Sequence, residues 1–487
     1  MGLGVAGRVV LTLWPPAALR LGCVVGLLSC CGPAHADGLA PSPGPQPAQC
    51  EQTRPAVLFN RWQEDWSVLA SPCLTHEALD SLKFIQLGED PADYLSLGLN
   101  WRDRIEGNDA ALFGIGHNVS NSYLIQRVEL HADARWSRHW QAFVQVEDAR
   151  SFGKHPVTPI DRNPVDLEQA FIAYVESQGA GTLKLRVGRQ EMAFDLQRFI
   201  AVRDGPNVRQ AFDAVWADYE LYDWRFIGYI TQPVQYRNGA NFDDSSNHGQ
   251  TFDGLRVERH DVLGGDLSGY WSRLGRSHAQ YTDGSGAERR DVWDLRHTGT
   301  QGRLDWDIES MAQTGAVGAK SIRAWALGSI VGFRPNWRWS PRVALQFDVA
   351  SGDSRHGDAR VGTFNPLFPN GYYFTLAGYT GYSNVVHLKP SIALKPASEL
   401  QLLAALGLQW RQTTADAVYQ QGNQVVPGTA GVGNRWTGLY AQCRADWTLT
   451  RHLVGSVELV HFRVGNTIRR LGGRDADYIG VELKAGW

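Results

Sequence analysis

The feature that most restricts how this chain can fold is a two-residue alternation of apolar and polar side chains, repeated in segment after segment from residue 95 onward. Leu400, Leu402, Ala404, Leu406, Leu408 and Trp410 form one apolar row, opposite Gln401, Gln409 and Arg411. Thr437, Leu439, Ala441, Cys443, Ala445 and Trp447 form another, opposite Tyr440, Gln442, Arg444 and Asp446. Side chains of a strand point alternately to its two faces, so each row is one side of a half-apolar sheet. About 18 such segments can be marked: 95–106, 122–136, 140–149, 166–176, 181–190, 212–222, 223–232, 250–260, 264–274, 288–300, 302–314, 321–335, 340–352, 384–395, 399–412, 433–448, 451–464 and 476–487. A tilted strand of about ten residues crosses the hydrocarbon layer of a membrane.

The connections carry a second rhythm. Those after odd-numbered segments are long (106–122, 149–166, 190–212, 232–250, 352–384 and 412–433), and those after even-numbered ones are short (136–140, 176–181, 260–264, 300–302 and 395–399). Short turns on one side and long loops on the other are the habit of up-and-down barrels in outer membranes. Trp and Tyr gather near segment ends, as interfacial girdles require. In lipid every backbone N–H and C=O must find a partner within the protein, so such strands have to close on themselves. The final stretch, DYIGVELKAGW, places Ile479, Val481, Leu483, Ala485 and Trp487 on one face and reads as the closing strand. The expected fold is all-β: a transmembrane up-and-down antiparallel β-barrel of about 18 strands, in a bacterial outer membrane, over residues 95–487. A propeller would show a four-strand repeat, and none is found.

Composition narrows the rest. A mean hydropathy of −0.29 leaves no room for a bundle of membrane helices. A net charge of −3, from 47 basic and 50 acidic residues, lacks the basic excess of a nucleic-acid binder, so no nucleic-acid partner is expected. Residues 1–36 read as a secretory signal: Arg8 and Arg20, the apolar LGCVVGLLSCC, then Ala34-His35-Ala36 as the cleavage site before Asp37. That apolar run is short of the ~20 residues a spanning helix needs. Leu27-Leu28-Ser29-Cys30 also resembles a lipoprotein box, with lipidation at Cys30 as the alternative. Residues 37–94 read as a Pro-rich and mixed periplasmic segment, with RWQEDWSVLA (61–70) fitting a short amphipathic helix. Cys50 and Cys73 flank a short stretch and are a candidate disulfide in an oxidising compartment, leaving Cys443 over. No Cys or His ligand spacing occurs, and Asp353 and Asp358 fit no EF-hand pattern, so neither a metal nor another cofactor is expected.

Parity assigns the inward face. Arg102, Arg104 and Glu106 oppose Leu97, Leu99 and Trp101; Arg127, Glu129, His131 and Asp133 share one face; Lys184 and Arg186 oppose Leu183, Leu185 and Val187. Asp305, Asp307 and Glu309, with Arg256, Glu258, Lys389 and Arg444, complete a lumen charged with both signs. Two readings fit. Arg–carboxylate ladders brace the wall, since poorly solvated charges pair. Alternatively the arginines guide an anion: one such contact at ~4 Å is worth about 1 kcal/mol in water and about 4 at an effective dielectric of 20. Several weak sites in series draw a polyanion along without trapping it. The long connections 188–213 and 351–374 are placed to fold inward and narrow the path. His131, His387 and His461 are available bases, but no Gly-x-Ser-x-Gly nucleophile motif accompanies them, and no enzyme is expected.

VGRQE (187–191), RFIAVRDGPNVRQAFD (198–213), ASGD (350–353) and TFNPLFPNGYYF (363–374) resemble the alginate-export family of Gram-negative outer-membrane barrels, over the chain from about residue 54. The resemblance implies an 18-strand barrel whose arginine-lined constriction passes a uronate polymer outward by passive diffusion. It places Arg189, Glu191 and Arg198 at that constriction; Arg203 is counted in the substrate path as one of the charges of the loop 188–213. Alternation from Leu183, Leu185 and Val187 points Arg189 at lipid, and a bulge at Gly188 would turn it inward. The expected partners are outer-membrane lipid, an anionic polysaccharide or small anionic solute, and a periplasmic export partner, with 37–94 read as either a periplasmic plug or the surface that meets that partner. Uptake of small anionic nutrients is the alternative function.

Overall fold

The structure, a computed structural model, describes residues 53–116 and 120–487. The signal segment 1–36, Cys30 and Cys50 lie outside the described residues.

Eighteen long strands follow one another: β1 Tyr94–Asn108, β2 Asn121–Trp136, β3 Trp140–Phe152, β4 Asn163–Gln178, β5 Gly181–Glu191, β6 Ala211–Leu221, β7 Trp224–Gln235, β8 Gln250–Val262 and β9 Gly265–Tyr281. They continue as β10 Gly284–Gln301, β11 Leu304–Val317, β12 Lys320–Phe333, β13 Arg342–Ala350, β14 Val385–Leu394, β15 Leu400–Trp410, β16 Trp436–Thr450, β17 Leu453–Val464 and β18 Ala476–Gly486. Each pairs antiparallel with the next. β18 then returns to β1, in a register running from Asn100↔Gly486 to Asn108↔Tyr478. Leu99 and Trp487 exchange both backbone hydrogen bonds, at 2.8 and 2.9 Å. The sheet therefore has no free edge along its spanning strands, which is what a lipid surround demands.

The short connections lie at the end that holds both barrel termini, the periplasmic side in outer-membrane barrels; the long ones lie at the other end. Two connections at the loop end depart from the expected rhythm. β9 and β10 run on past the predicted 274 and 288 to meet at Thr282–Asp283, and β11 meets β12 at Gly318–Ala319. Gly318 makes the second turn feasible. It sits at φ +54, and the Ser285 carbonyl lies 2.4 Å from where a Cβ would stand.

Outer and inner rows separate as parity predicts. Ile105, Leu130, Val187, Val215, Ile230, Leu255 and Leu406 stand exposed on the outside, where lipid covers them. Cys443 is exposed in the same outer row. Near the turn end, Trp136 stacks on Trp140 at 6.3 Å and Trp224 on Phe226 at 6.0 Å, parts of an aromatic girdle.

Among the described residues several pieces of chain enter the lumen, and three concern the channel. The connections 192–210 and 351–384 fold inward together, bridged at Ile200↔Phe368, and build an apolar cluster from Phe199, Phe212, Phe252, Phe364, Phe368, Phe374 and Tyr382. The third piece precedes β1 and enters the turn end. The helix expected over 61–70 is instead two single 3-10 turns, Arg61–Gln63 and Ser67–Ala70. An amphipathic helix keeps one face in water. Here wall surrounds the segment, and Arg61, Trp62, Glu64, Trp66 and Leu69 are all buried. Wall side chains take over its carbonyls: Arg135 Nη2 donates to Trp62 O at 3.0 Å and Glu64 O at 2.7 Å, and Gln141 Nε2 to Trp62 O at 2.8 Å. Cys73, on the same segment, is disulfide-bonded.

Candidate functional site

The Arg-x-Glu spacing explains most of the inner wall. Residues two apart on a strand share a face, so an arginine and a carboxylate at that spacing meet inside. Arg104 Nε lies 2.6 Å from Glu106 Oε1, Arg127 Nε 3.2 Å from Glu129 Oε1, and Arg256 Nε 2.6 Å from Glu258 Oε1. Arg444 meets Asp446 at 2.7 Å and, across to β17, Glu458 at 2.5 Å. Arg104 also reaches Glu458 at 2.6 Å, and Arg102 reaches Glu482 at 2.6 Å. These are braces of the wall.

A second set of charges ties the inward connections to that wall. Arg102 Nη1 donates to Asp204 O at 3.0 Å and Pro206 O at 3.2 Å. The Asp204 carboxylate accepts from Arg127 and pairs with Lys484 at 2.8 Å. Burial raises the cost of charge on Asp204, but Lys484, Arg127 and Arg102 outweigh it and hold its pKa well below the ordinary carboxylate range. Arg209 grips Glu191 through Nε and Nη2, both at 2.5 Å, and Glu129 at 3.0 Å. Arg198, fully buried, joins Asp307 at 2.5 Å and Glu309 at 2.7 Å. Its Nε donates to Tyr373 Oη at 2.7 Å, which links the two inward connections. Arg256 and Arg296 meet on Asp195 at 2.7 and 2.8 Å. Lys389 Nζ donates to Tyr373 O at 3.1 Å and Phe374 O at 3.0 Å.

Two open spaces bear on the channel. The larger, about 990 Å³, reaches the short turns at Asp261, Gly264 and Lys395 and is roofed by Met192–Leu196. Its lining carries eight Lys and Arg against nine Asp and Glu, so it is dense in charge and close to neutral. The smaller, about 120 Å³, lies at the loop end between Glu106, Lys154, Tyr372 and Tyr478. No described residue lines both. Between them stands the Arg102–Asp204–Arg127 knot.

Of the residues singled out in the sequence, Arg186, Glu191, Arg256 and Arg444 line the larger space. Arg102, Arg104, Arg127, Glu129, Arg198 and Lys389 face inward but are closed over by the loops they hold. Arg186 differs from the rest. Its guanidinium lies 4.5 Å from the Trp62 ring, 5.2 Å from Phe171 and 5.6 Å from Trp216, and its Nε and Nη1 have no hydrogen-bond partner.

Arg189 must be corrected. The β4–β5 and β5–β6 registers run through Gly188 without a bulge, so Arg189 continues the outward row of Val187. There it pairs with Asp213 at 2.9 Å, its direct cross-strand neighbour in the row of Val215. Arg203 reaches Gln210 Oε1 at 3.5 Å, forms no ion pair among the described residues and does not line the larger space. Of the histidines, His387 bonds Tyr440 Oη at 2.8 Å, and His461 pairs with Asp477 at 2.7 Å. Arg225 and Arg296 line the larger space and escaped the sequence reading. Arg225 sits in the apolar row of Ile227 and Tyr229 and gave little signal, whereas the row Asp294, Arg296, Thr298 was legible.

The family model described as alginate export matches residues 93–482. A comparison with curated protein sequences yields no match. Among solved structures, Pseudomonas aeruginosa OccK3 (OpdO) superposes with a TM-score of 0.55 at 13% identity, covering 81% of this chain and 95% of that one. The P. aeruginosa outer membrane protein OpdK gives 0.54 at 12% identity, covering 81% and 98%. OccK2 (OpdF) of the same organism, in complex with glucuronate, gives 0.53 at 13%, covering 80% and 98%. At such identities the likeness is one of fold.

Proposed function

The chain belongs to the alginate export family, and from that premise we propose that this outer-membrane channel passes an acidic polysaccharide of the uronate type outward by passive diffusion. The observation that carries the reading is the large space at the turn end, where an exporter loads. Its arginines are engaged by exchangeable carboxylates: Arg256 and Arg296 share Asp195 of the inward connection, and Arg444 is held by Asp446 and Glu458. An arriving uronate carboxylate exchanges with such a partner for little net free energy, so it is admitted without being trapped. Arg186, flat between aromatic rings, adds a cation with no carboxylate bonded to it.

On this reading the three inward pieces of chain are the closed state, and loading displaces them. The precursor leaves the cytoplasm by its signal at 1–36, Cys50 pairs with Cys73, and the segment 37–94 is the part best placed to meet a periplasmic export partner.

A second reading, uptake of small uronates, is favoured by one observation: no described residue lines both spaces, and Arg102 and Arg127 hold Asp204 of the inward connection against the wall. The similar OccK2 structure holds glucuronate, a single sugar. Proteoliposomes separate the two. Flux of a labelled oligouronate supports export, whereas swelling with monosaccharide uronates and no oligomer flux supports uptake.

A further inference from the structure

At the loop end, away from the channel charges, the connection between β7 and β8 folds back over the start of β4. Phe242 N donates to Val165 O at 3.0 Å, and Asp244 N to Asp166 Oδ2 at 3.1 Å. This brings Asp166, Asp243 and Asp244 together, with one carboxylate oxygen of each within 4.8 Å of the others. None of the three forms an ion pair among the described residues. Arg189, close by, is engaged by Asp213, and Arg237 uses Nη1 on the Asp243 carbonyl. Three carboxylates held so near one another repel, and what offsets this in the structure is neutral N–H donors, from Asn163 Nδ2 and the backbone of Leu167, Arg237, Ala240 and Asp244, rather than a cation.

A second observation comes from a neutral side chain. Asn163 is 1% exposed and its Nδ2 donates to Asp244 Oδ2 at 2.6 Å, so its amide is fixed against the cluster. Its Oδ1 has no hydrogen-bond partner, and neither has Asp243 Oδ1. A half-turn of the Asn163 amide exchanges N for O and presents that unpartnered oxygen to whatever the Asp244 carboxylate holds. Buried oxygens left without donors cost free energy, and a cation satisfies several at once.

We propose that Asn163, Asp166, Asp243 and Asp244 form a binding site for a hard divalent cation, calcium in preference to magnesium, which staples the β7–β8 connection to β4. The donor set is all oxygen, which excludes zinc and copper as natural occupants. It is also irregular and split between a strand and a loop, which suits the flexible coordination of calcium better than the strict octahedron of magnesium.

The test is calcium titrated by calorimetry into the full-length, detergent-purified barrel after EDTA treatment and dialysis, with heat-modifiable gel mobility confirming that each variant is folded. The wild type is expected to bind about one equivalent, in the ~10⁻⁴–10⁻³ M range of extracellular calcium modules. Asp243→Asn and, independently, Asn163→Ala are each expected to weaken binding roughly tenfold or more. Magnesium at equal concentration should leave the calcium isotherm nearly unchanged. No saturable binding by the wild type would overturn the proposal. So would equal binding by folded Asp243→Asn, which would mean general adsorption of cations to the surface.

Discussion

Arg198 Nη1 lies 2.5 Å from Asp307 Oδ1, and that bond fastens the connection leaving β5 to β11, well round the wall. The same guanidinium meets Glu309 at 2.7 Å and Tyr373 Oη at 2.7 Å. One fully buried side chain therefore holds the wall and both inward connections in a single arrangement. Opening the channel means breaking it or moving it.

Arg198→Ala leaves Glu309 buried without its arginine, and breaking such a pair costs about 3–5 kcal/mol. The variant is expected to shift from folded to unfolded gel mobility at a lower temperature. Its single-channel current should be larger and noisier than that of the wild type. Arg198→Lys, which keeps the charge but not the forked geometry, should fall between the two.

Neutralising Arg186 and Arg444 together is expected to lower anion preference without altering the barrel. Both line the large space, and neither crosses to an inward connection through an ion pair. The measure is the reversal potential in a salt gradient, which should move several millivolts or more toward zero while gel mobility stays as in the wild type.

Arg189→Gln should leave the reversal potential where it is. Family likeness places this arginine at the constriction, but its pairing with Asp213 on the outward row removes it from the path. A loss of selectivity comparable to that of the Arg186/Arg444 variant would show that the strand parity is misassigned.

The segment at the turn end should respond to pH through Lys83, on the short helix Asp80–Lys83. Burial, with Arg61 adding repulsion, pushes the Lys83 ammonium down to about 7 from 10.5. Its Nζ lies 4.5 Å from the Trp487 ring and has no hydrogen-bond partner. Docked, the group is neutral above about 7; released, it binds a proton up to about 10.5. The released state therefore holds more protons between these values, and docking strengthens as pH rises through that window, by up to a few kcal/mol. Protease protection of residues 54–86 should increase from pH 7 to pH 10, and Lys83→Met should flatten the profile.

The barrel was legible because lipid leaves so few choices. A row such as Leu400 to Trp410 has to face outward, and once eighteen rows do so the chain must close, as Leu99 and Trp487 do. The same parity placed Arg104 beside Glu106 and kept Arg189 outside. The length of 188–213 and 351–374 announced chain able to fold inward, but parity did not say how the plug is built. Trp62 and Glu64 lie inside a polar cylinder, where an enclosed segment shows no apolar stripe, so the pattern at 61–70 suggested a helix that did not form. Asp204 meets Arg127 and Lys484 across long stretches of chain, and no local spacing announces such a meeting. The ends of β9 and β10 were illegible because a bulge between Arg276 and Ala279, opposite Gly286 at φ +130, breaks the alternation before the pairing resumes.

The account rests on a channel that prefers anions and recognises uronates, and planar-bilayer recording tests it most directly. In a salt gradient the purified full-length protein should give a reversal potential of the anion-selective sign, and an oligouronate added at the turn end should block the current in a dose-dependent way. A cation-selective reversal potential, or a current indifferent to the oligouronate, would contradict it.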